Sequence, residues 1–557
     1  MKKIVIASLV PLTLCAALSA QNINQSVQVT NDYVTRFADF QKQGGALQVP
    51  DSLYRFDYDF DYSVFDTPYR GSYEFTPYRI RVTPDPRPLD AASLYLRAGA
   101  GVAFRPQLLL AWQPVQKRNG AVGVTAGLDG FAGRYRTPAA LTGPEDAAYP
   151  ASVPGHDLSG RFGIEGHYLA PAVRLSGRAD YEGLFAGRDR IGEGAEAFRS
   201  AFNVLSLQGR AQSREREDTR LFYDIDARFR YGSDAYPDAQ KAGEGDLAVA
   251  LSAGPVLQRK YRILLDALFE LDNVSGFCSQ AGSGYIGTRS ALLASVKPHA
   301  DFLLGGLRVD AGVRLDYSSS GAASADPATL FSLAPDVSVR LPLLGVNLEL
   351  FAGVSGGQSI QGLYEAKQVN RFSYRSDAAA TVARERLRVR GGLEGHWGSR
   401  LQYGLEAGYV SYAGALLPAL LETVRADWRS AYARARLSWK DERFEMDGRL
   451  DYVYSRFSRN FAAYAPPAFT ADLQGVYNWQ RKVFAGAFLR IVSARDWLAD
   501  GDPIPGYADF GLTGELRISR CLGAWLEAGN LFGMAIERAP GFIEKSPYIT
   551  VGVSLKL

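Results

Sequence analysis

The sequence predicts an all-β protein: a transmembrane antiparallel β-barrel of about 22 strands behind a short extended N-terminal periplasmic segment. Three observations carry that prediction. Apolar and polar residues alternate with a period of two from Leu94 to the end, as in Ile549, Val551, Val553, Leu555 and Leu557 with Thr550, Gly552, Ser554 and Lys556 between them. That period puts successive side chains on opposite faces of a strand. Long connections alternate with short ones. Trp397, Trp439 and Trp479 all fall where a strand meets a short turn, the place of an interfacial aromatic girdle.

Residues 1–20 read as an export signal. Lys2 and Lys3 precede an apolar run from Ile4 to Ala17, and Ser19-Ala20 precedes Gln21 as a small-residue cleavage site. The run is shorter than the ~20 residues a spanning helix needs. Leu14 before Cys15 departs from a lipobox, which has a small residue there. No later stretch approaches ~18 consecutive apolar residues, so any span consists of strands.

Residues 21–90 form a separate segment rich in Tyr, Phe, Asp and Pro. Pro50, Pro68, Pro77, Pro84, Pro86 and Pro88 argue against helices and long central strands there. An extended stretch leading into the barrel, packed in its periplasmic mouth, is the expected form. Asp57, Asp59 and Asp61 resemble the opening of a calcium loop, but Tyr62 and Pro68 stand where the pattern needs Gly and Glu. A strand with one polar face is the better reading.

Residues 91–557 form the barrel. The charged phase is clear in Arg308, Asp310, Arg314 and Asp316 between Leu307, Val309, Val313 and Leu315. Expected strand lengths are roughly 10 to 14 residues, against ~5–6 for globular strands and ~9–11 needed to cross a bilayer. Expected outer loops are Arg134–Asp157, Gly232–Gly243, Asn273–Gly284, Gly356–Ala383 and Met534–Ser546. Expected periplasmic turns are Pro298–Asp301, Gly398–Ser399, Lys440–Glu442, Gln480–Lys482 and Arg520–Leu522. The 57 glycines suit tight turns, and the 30 Tyr and 29 Phe suit aromatic girdles.

The apolar phase is expected to face lipid and the charged phase the lumen, because an Arg at the bilayer midplane costs ~2–4 kcal/mol. The candidate lumen-facing charges are Arg386, Arg388, Arg390, Asp310, Arg314 and Glu394. The three arginines read as a basic row balanced by carboxylates on other strands, since the net charge is only +3. The same near-neutrality gives no reason to expect nucleic acid. His156, His167, His299 and His396 are scattered, so no metal site and no cofactor is expected. Cys278 is expected in an outer loop and Cys521 in a periplasmic turn, too far apart to pair. Gly353-Val354-Ser355-Gly356-Gly357 matches a nucleophile-elbow pattern. With no clear helical pattern after it, a glycine-rich loop entry is expected, and the chain reads as a non-enzyme.

The C-terminal region resembles the end of TonB-dependent receptor barrels. A strand through Trp525-Leu526-Glu527-Ala528 runs into Gly529-Asn530-Leu531-Phe532, followed by Pro540-Gly541 and a last strand from Tyr548 to Leu557. Pro68-Tyr69, Tyr73-Glu74-Phe75 and Leu94-Tyr95-Leu96-Arg97-Ala98-Gly99 are similar to receptor-like barrels of Bacteroidetes type that lack a recognisable plug domain. The resemblance implies the cell outer membrane and transport of a solute. Two departures argue against TonB-driven import: Ser26-Val27-Gln28-Val29-Thr30 is a weak echo of a TonB box, and only residues 21–93 stand where the family has a folded plug. The expected function is therefore passive or partner-dependent transport, with outer-membrane lipid and periplasmic or outer-membrane proteins as partners. The alternative is a structural or assembly component of an outer-membrane complex. Barrels of this size normally have an occluded lumen, so residues 21–90, inward-folded outer loops or a partner are expected to fill it.

Overall fold

The computed structural model describes residues 93–557 apart from stretches within the connections, the longest of which are 137–151, 190–196 and 279–285. The expected segment at 21–90, with Asp57, Asp59 and Asp61, lies outside the described residues, as does the export signal.

The first strands are β1 (Leu94–Val102), β2 (Gln107–Lys117), β3 (Gly120–Arg136), β4 (Ser152–Leu169), β5 (Val173–Arg188) and β6 (Phe198–Ser213). Then come β7 (Leu221–Ala235), β8 (Ala242–Leu257), β9 (Tyr261–Cys278), β10 (Ile286–Leu304), β11 (Leu307–Ala322), β12 (Ala328–Leu343) and β13 (Leu348–Gln361). A short helix, α1 (Leu363–Val369), and a two-residue strand, β14 (Arg375–Ser376), interrupt the series. It resumes with β15 (Thr381–Trp397), β16 (Leu401–Pro418), β17 (Glu422–Lys440), β18 (Phe444–Phe457), β19 (Phe469–Trp479), β20 (Val483–Val492), β21 (Tyr507–Arg517) and β22 (Leu522–Gly529). A hairpin of β23 (Ile536–Ala539) and β24 (Phe542–Glu544) precedes the last strand, β25 (Tyr548–Lys556).

Each barrel strand pairs antiparallel with the next, and β25 pairs with both β22 and β1, which closes a 22-stranded barrel of β1–β13, β15–β22 and β25. Closure matters because an open edge has no water to satisfy it in hydrocarbon. Strand starts and ends meet at the seam, where the amide of Leu94 donates to Leu557 O at 2.9 Å and that of Leu557 to Leu94 O at 2.8 Å. The first strand among the described residues begins at Leu94.

The apolar phase is solvent-exposed in this protein chain, as a lipid-facing surface must be. Leu205 and Leu207 on β6, Phe229 and Tyr231 on β7, and Leu247, Val249 and Leu251 on β8 are all exposed, while the intervening Arg230, Glu244 and Asp246 are buried. No described helix is long and apolar enough to cross a membrane.

Several expected boundaries move. Many barrel strands exceed the expected range, up to 19 residues in β10 and β17, because pairing continues past the apolar belt toward the outer end, whereas β1 and β22 fall short of it at 9 and 8. Pro298–Asp301 is not a turn; it lies inside β10. The ladder to β11 passes from Val296 to His299, omitting Lys297 and Pro298, which accommodates a residue without an N–H. The turn is Gly305-Gly306, with φ of 55° and 98°, the two left-handed positions of a tight hairpin. Cys278 ends β9 rather than lying in a loop, while exposed Cys521 sits in the short turn between β21 and β22. The expected turns at Gly398, Lys440, Gln480 and Arg520 are present between the corresponding strands. Gln480 and Arg481 both adopt positive φ, and Asn478 Oδ1 accepts the Arg481 amide at 2.8 Å to hold that strained bend.

Asn530 explains the Gly-Asn-Leu-Phe run physically. It leaves β22 with φ of 48°, a conformation asparagine tolerates better than most residues. Its amide donates to Asp509 Oδ1 at 2.8 Å, its Oδ1 accepts the Met534 amide at 2.9 Å, and its Nδ2 donates to Met534 O at 2.8 Å. The side chain therefore terminates the strand and turns the chain toward the β23–β24 hairpin.

Candidate functional site

The connection from β13 to β15 does not project outward. Its helix α1 starts directly after β13, which runs on to Gln361 rather than stopping at Gly356. This overturns the expectation of a connection without helix. The helix begins at glycine, which offers no side-chain cap, so borrowed groups take over. Glu365 Oε2 accepts the Gly362 amide at 2.9 Å, and Glu244 Oε2 on β8 accepts the Tyr364 amide at 3.0 Å.

Leu363 and Ala366 are buried. Leu363 packs in a core with Leu184 of β5, Phe202 and Val204 of β6, Val274 of β9 and Leu293 of β10. Ala366 packs on Leu416 of β16. A segment that touches the inward phase of strands from β5 to β16 must cross the lumen. The inward-folded outer loop expected as one means of occlusion is therefore present.

Polar anchors fix it. Lys367 Nζ lies 2.5 Å from Asp234 Oδ2 on β7, with both side chains 0 % exposed, and donates to Ser200 Oγ at 2.9 Å and to Ser373 O. Burial pushes the Lys367 ammonium pKa down, and the Asp234 carboxylate pulls it back up. Tyr364 donates its hydroxyl to Glu182 Oε2 at 3.3 Å, and burial together with that carboxylate pushes the phenol up to about 12. Arg230 Nη2 reaches Glu365 Oε1 at 2.9 Å with its guanidinium 4.3 Å from the Tyr364 ring centroid. Arg371 Nη1 pairs with Asp157 Oδ1 on β4 at 2.8 Å. Asn370 Nδ2 donates to Ala419 O at 2.9 Å, tying the loop to the connection after β16.

A second loop meets the first. Phe542 of β24 stacks on Phe372, with ring centroids 3.7 Å apart and planes inclined at 23°. Phe131 and Tyr135 of β3 and Phe198 of β6 surround the stack. Arg105 pairs with Glu544, and the Arg188 guanidinium lies 4.7 Å from the Phe542 ring centroid. A third group closes the other side, where Phe461, Ala463 and Leu498 pack on Leu417 and Ala426 of β16 and β17, with Tyr464 edge-on to Trp497.

The sequence-predicted charges are spread around the barrel wall rather than gathered into one centre. Asp310 Oδ1 bonds His299 Nδ1 at 2.8 Å. Arg314 Nε pairs with Asp316 Oδ1 at 2.8 Å and its Nη2 donates to Gln358 O at 2.9 Å. Glu394 Oε1 lies 3.2 Å from Arg340 Nη1. The arginines do not form one continuous row, because a bulge at Glu385/Leu387 breaks the register with β16. Arg386 pairs with Asp427 at 3.0 Å, both half exposed, while Arg388 pairs with Glu385 at 2.5 Å. Arg390 has no ion-pair partner among the described residues. Ser355 sits inside β13, six residues before its end, and not at the sharp strand-to-helix turn an elbow needs. Sequence reasoning missed Lys367, Asp234, Phe372 and Phe542. Lys367 did carry a signal in retrospect, a lysine among Leu363, Ala366 and Val369 in a loop otherwise read as irregular.

No protein family and no curated protein matches the sequence. Solved structures match the fold. The copper transporter OprC has a TM-score of 0.60 at 14 % identity over 84 % of this chain and 80 % of that chain. The FrpB iron transporter of Neisseria meningitidis (F3-3 variant) has a TM-score of 0.64 at 11 % identity over 84 % and 81 %. The ferric yersiniabactin uptake receptor FyuA of Yersinia pestis has a TM-score of 0.62 at 11 % identity over 84 % and 80 %. At such identities the likeness is one of fold: this chain is a 22-stranded membrane barrel of the architecture those transporters and receptors use.

Proposed function

We propose that this protein moves a solute across the cell outer membrane, passively or with a partner protein, through a lumen that its own outer loops close. The carrying observation is the meeting of two inward loops at Phe372 and Phe542 inside a closed barrel. Solvation supports the reading as well. The exposed apolar phase demands lipid, and a wall lined with Asp310, Arg314, Arg388, Arg390 and Glu394 suits a hydrated lumen rather than a packed core. The solved structures of similar fold include transporters and uptake receptors of copper and iron species, and solute passage is the use of this architecture we extend to this chain. A receptor-like barrel of Bacteroidetes type working without a separate plug belongs to the same reading, supported by loops that occupy the place where a plug would block flow.

Conductance in planar bilayers tests this. The intact protein is expected to give small or gated currents, and replacement of residues 363–380 by a short Gly-Ser linker should give larger, stable ones. Equal currents from both proteins would refute closure by this loop. An absence of any current from the linker variant, once shown to be folded, would refute solute passage through the barrel.

A further inference from the structure

Beneath the first turn of α1 the inward faces of β8 and β9 concentrate carboxylates. Asp246 and Asp272 stand directly opposite each other in the β8–β9 register, and Glu244 is two residues along on the same face. All three are about 1 % exposed. Glu270 and Glu365 adjoin them. Like charges placed opposite on a sheet repel, so positive charge must be supplied.

The protein supplies only part of it. Arg228 Nη2 bonds Asp246 Oδ2 at 3.1 Å and Glu270 Oε1 at 3.0 Å, and Arg230 Nη2 lies 3.3 Å from Asp246 Oδ2 and 2.9 Å from Glu365 Oε1. Lys367 is committed to Asp234. Among the described residues neither Glu244 nor Asp272 has a salt bridge, and the Arg230 guanidinium, committed to Asp246 and Glu365, acts on both only at longer range. Glu244 accepts only the Tyr364 amide. Asp272 is in a stricter position, because neither of its carboxylate oxygens has any hydrogen-bond donor although the side chain is buried. Both carboxylates converge on one point beside Gly362, where an added Cβ would lie 1.9 Å from Glu244 Oε1 and 2.6 Å from Asp272 Oδ2. Buried charge persists only when paired or metal-bound.

We propose that Glu244 and Asp272 hold a divalent hard cation of the calcium type against the β8–β9 wall under α1. Five carboxylates against two guanidiniums leave an excess of negative charge that a doubly charged ion reduces, and an all-oxygen donor set selects calcium or magnesium over softer metals. Among the described residues no group of three or more His, Cys, Asp or Glu forms a preformed metal cage, so water and backbone oxygens complete the coordination. Because Glu244 also receives the Tyr364 amide, the ion pins the start of α1 and thereby the loop that fills the lumen. The site does not depend on solute passage, and binding is read without flux, so either proposal can fail alone.

The test uses the full-length protein, purified in detergent and stripped with EDTA, titrated calorimetrically with calcium chloride and with magnesium chloride. One saturable site per chain is expected for at least one of them, weakened tenfold or more in both Asp272→Asn and Glu244→Gln. Heat-modifiable migration on gels confirms that each variant is folded; if one is not, the other and the wild-type titration decide. No saturable binding to the wild type at millimolar ion would overturn the proposal. So would unchanged affinity in a folded variant, or Asp272→Asn stabilising the metal-free protein at neutral pH without any wild-type ion uptake, which would mark a shared proton instead.

Discussion

Lys367 on the inward helix α1 and Asp234 on the wall strand β7, 133 positions apart in the chain, form an ion pair of 2.5 Å with both side chains fully buried. Breaking one partner leaves the other charge uncompensated in a low-dielectric site, a loss of ~3–5 kcal/mol for such pairs. Lys367→Met and Asp234→Asn are each expected to release the α1 loop, seen as faster protease cleavage between residues 362 and 380 with the barrel still heat-modifiable. The double replacement Lys367→Met with Asp234→Leu should restore much of the protection, because apolar groups can fill such a site without charge.

The Phe372–Phe542 stack couples two loops that are far apart in sequence. Either Phe→Ala change is expected to cost ~3–5 kcal/mol of local packing. A double-mutant cycle on loop opening, followed by hydrogen exchange, should show a coupling of ~0.5–1.5 kcal/mol. Additive effects would mean the rings merely share a neighbourhood.

Gly362 has an ordinary φ of −96°, so its importance is space rather than strain. Gly362→Ala places a methyl against Glu244 and Asp272. The start of α1 is expected to lift away, giving larger single-channel currents than wild type without loss of folded protein.

The seam depends on a tryptophan seated over glycine. Trp525 Nε1 donates to Val553 O at 3.2 Å, Arg97 caps its ring at 4.0 Å, and a Cβ on Gly99 would lie 2.4 Å from Trp525 Cζ2. Gly99→Val is expected to prevent pairing of β1 with β25, read as loss of the heat-modifiable band, whereas Ala98→Val on the opposite phase should be tolerated.

The two phases of one strand give a direct solvent test. Val249 is exposed midway along β8, and Ala248 faces inward. Val249→Arg is expected to destabilise the folded barrel by ~2–4 kcal/mol in lipid vesicles, measured by urea unfolding. Equal stability with Val249→Ser would argue that this band does not contact lipid.

The sequence alone determined the barrel, because a period of two is a local property, readable from neighbouring residues such as Leu247, Val249 and Leu251. It also determined the tight turns at Gly398 and Gln480, where short spacing leaves few alternatives. Local pattern failed where the ladder tolerates irregularity: Pro298 reads as a turn yet sits in β10, and the bulge at Glu385/Leu387 takes Arg386 out of the row it forms on paper. The contents of the lumen were decided by tertiary structure alone. Lys367 meets Asp234, Phe372 meets Phe542, and Glu244 meets Asp272 beside Gly362 only after the barrel has closed and the loop has turned inward. Those contacts span strands from β7 to β24, and no spacing along the chain encodes which buried charge will face which.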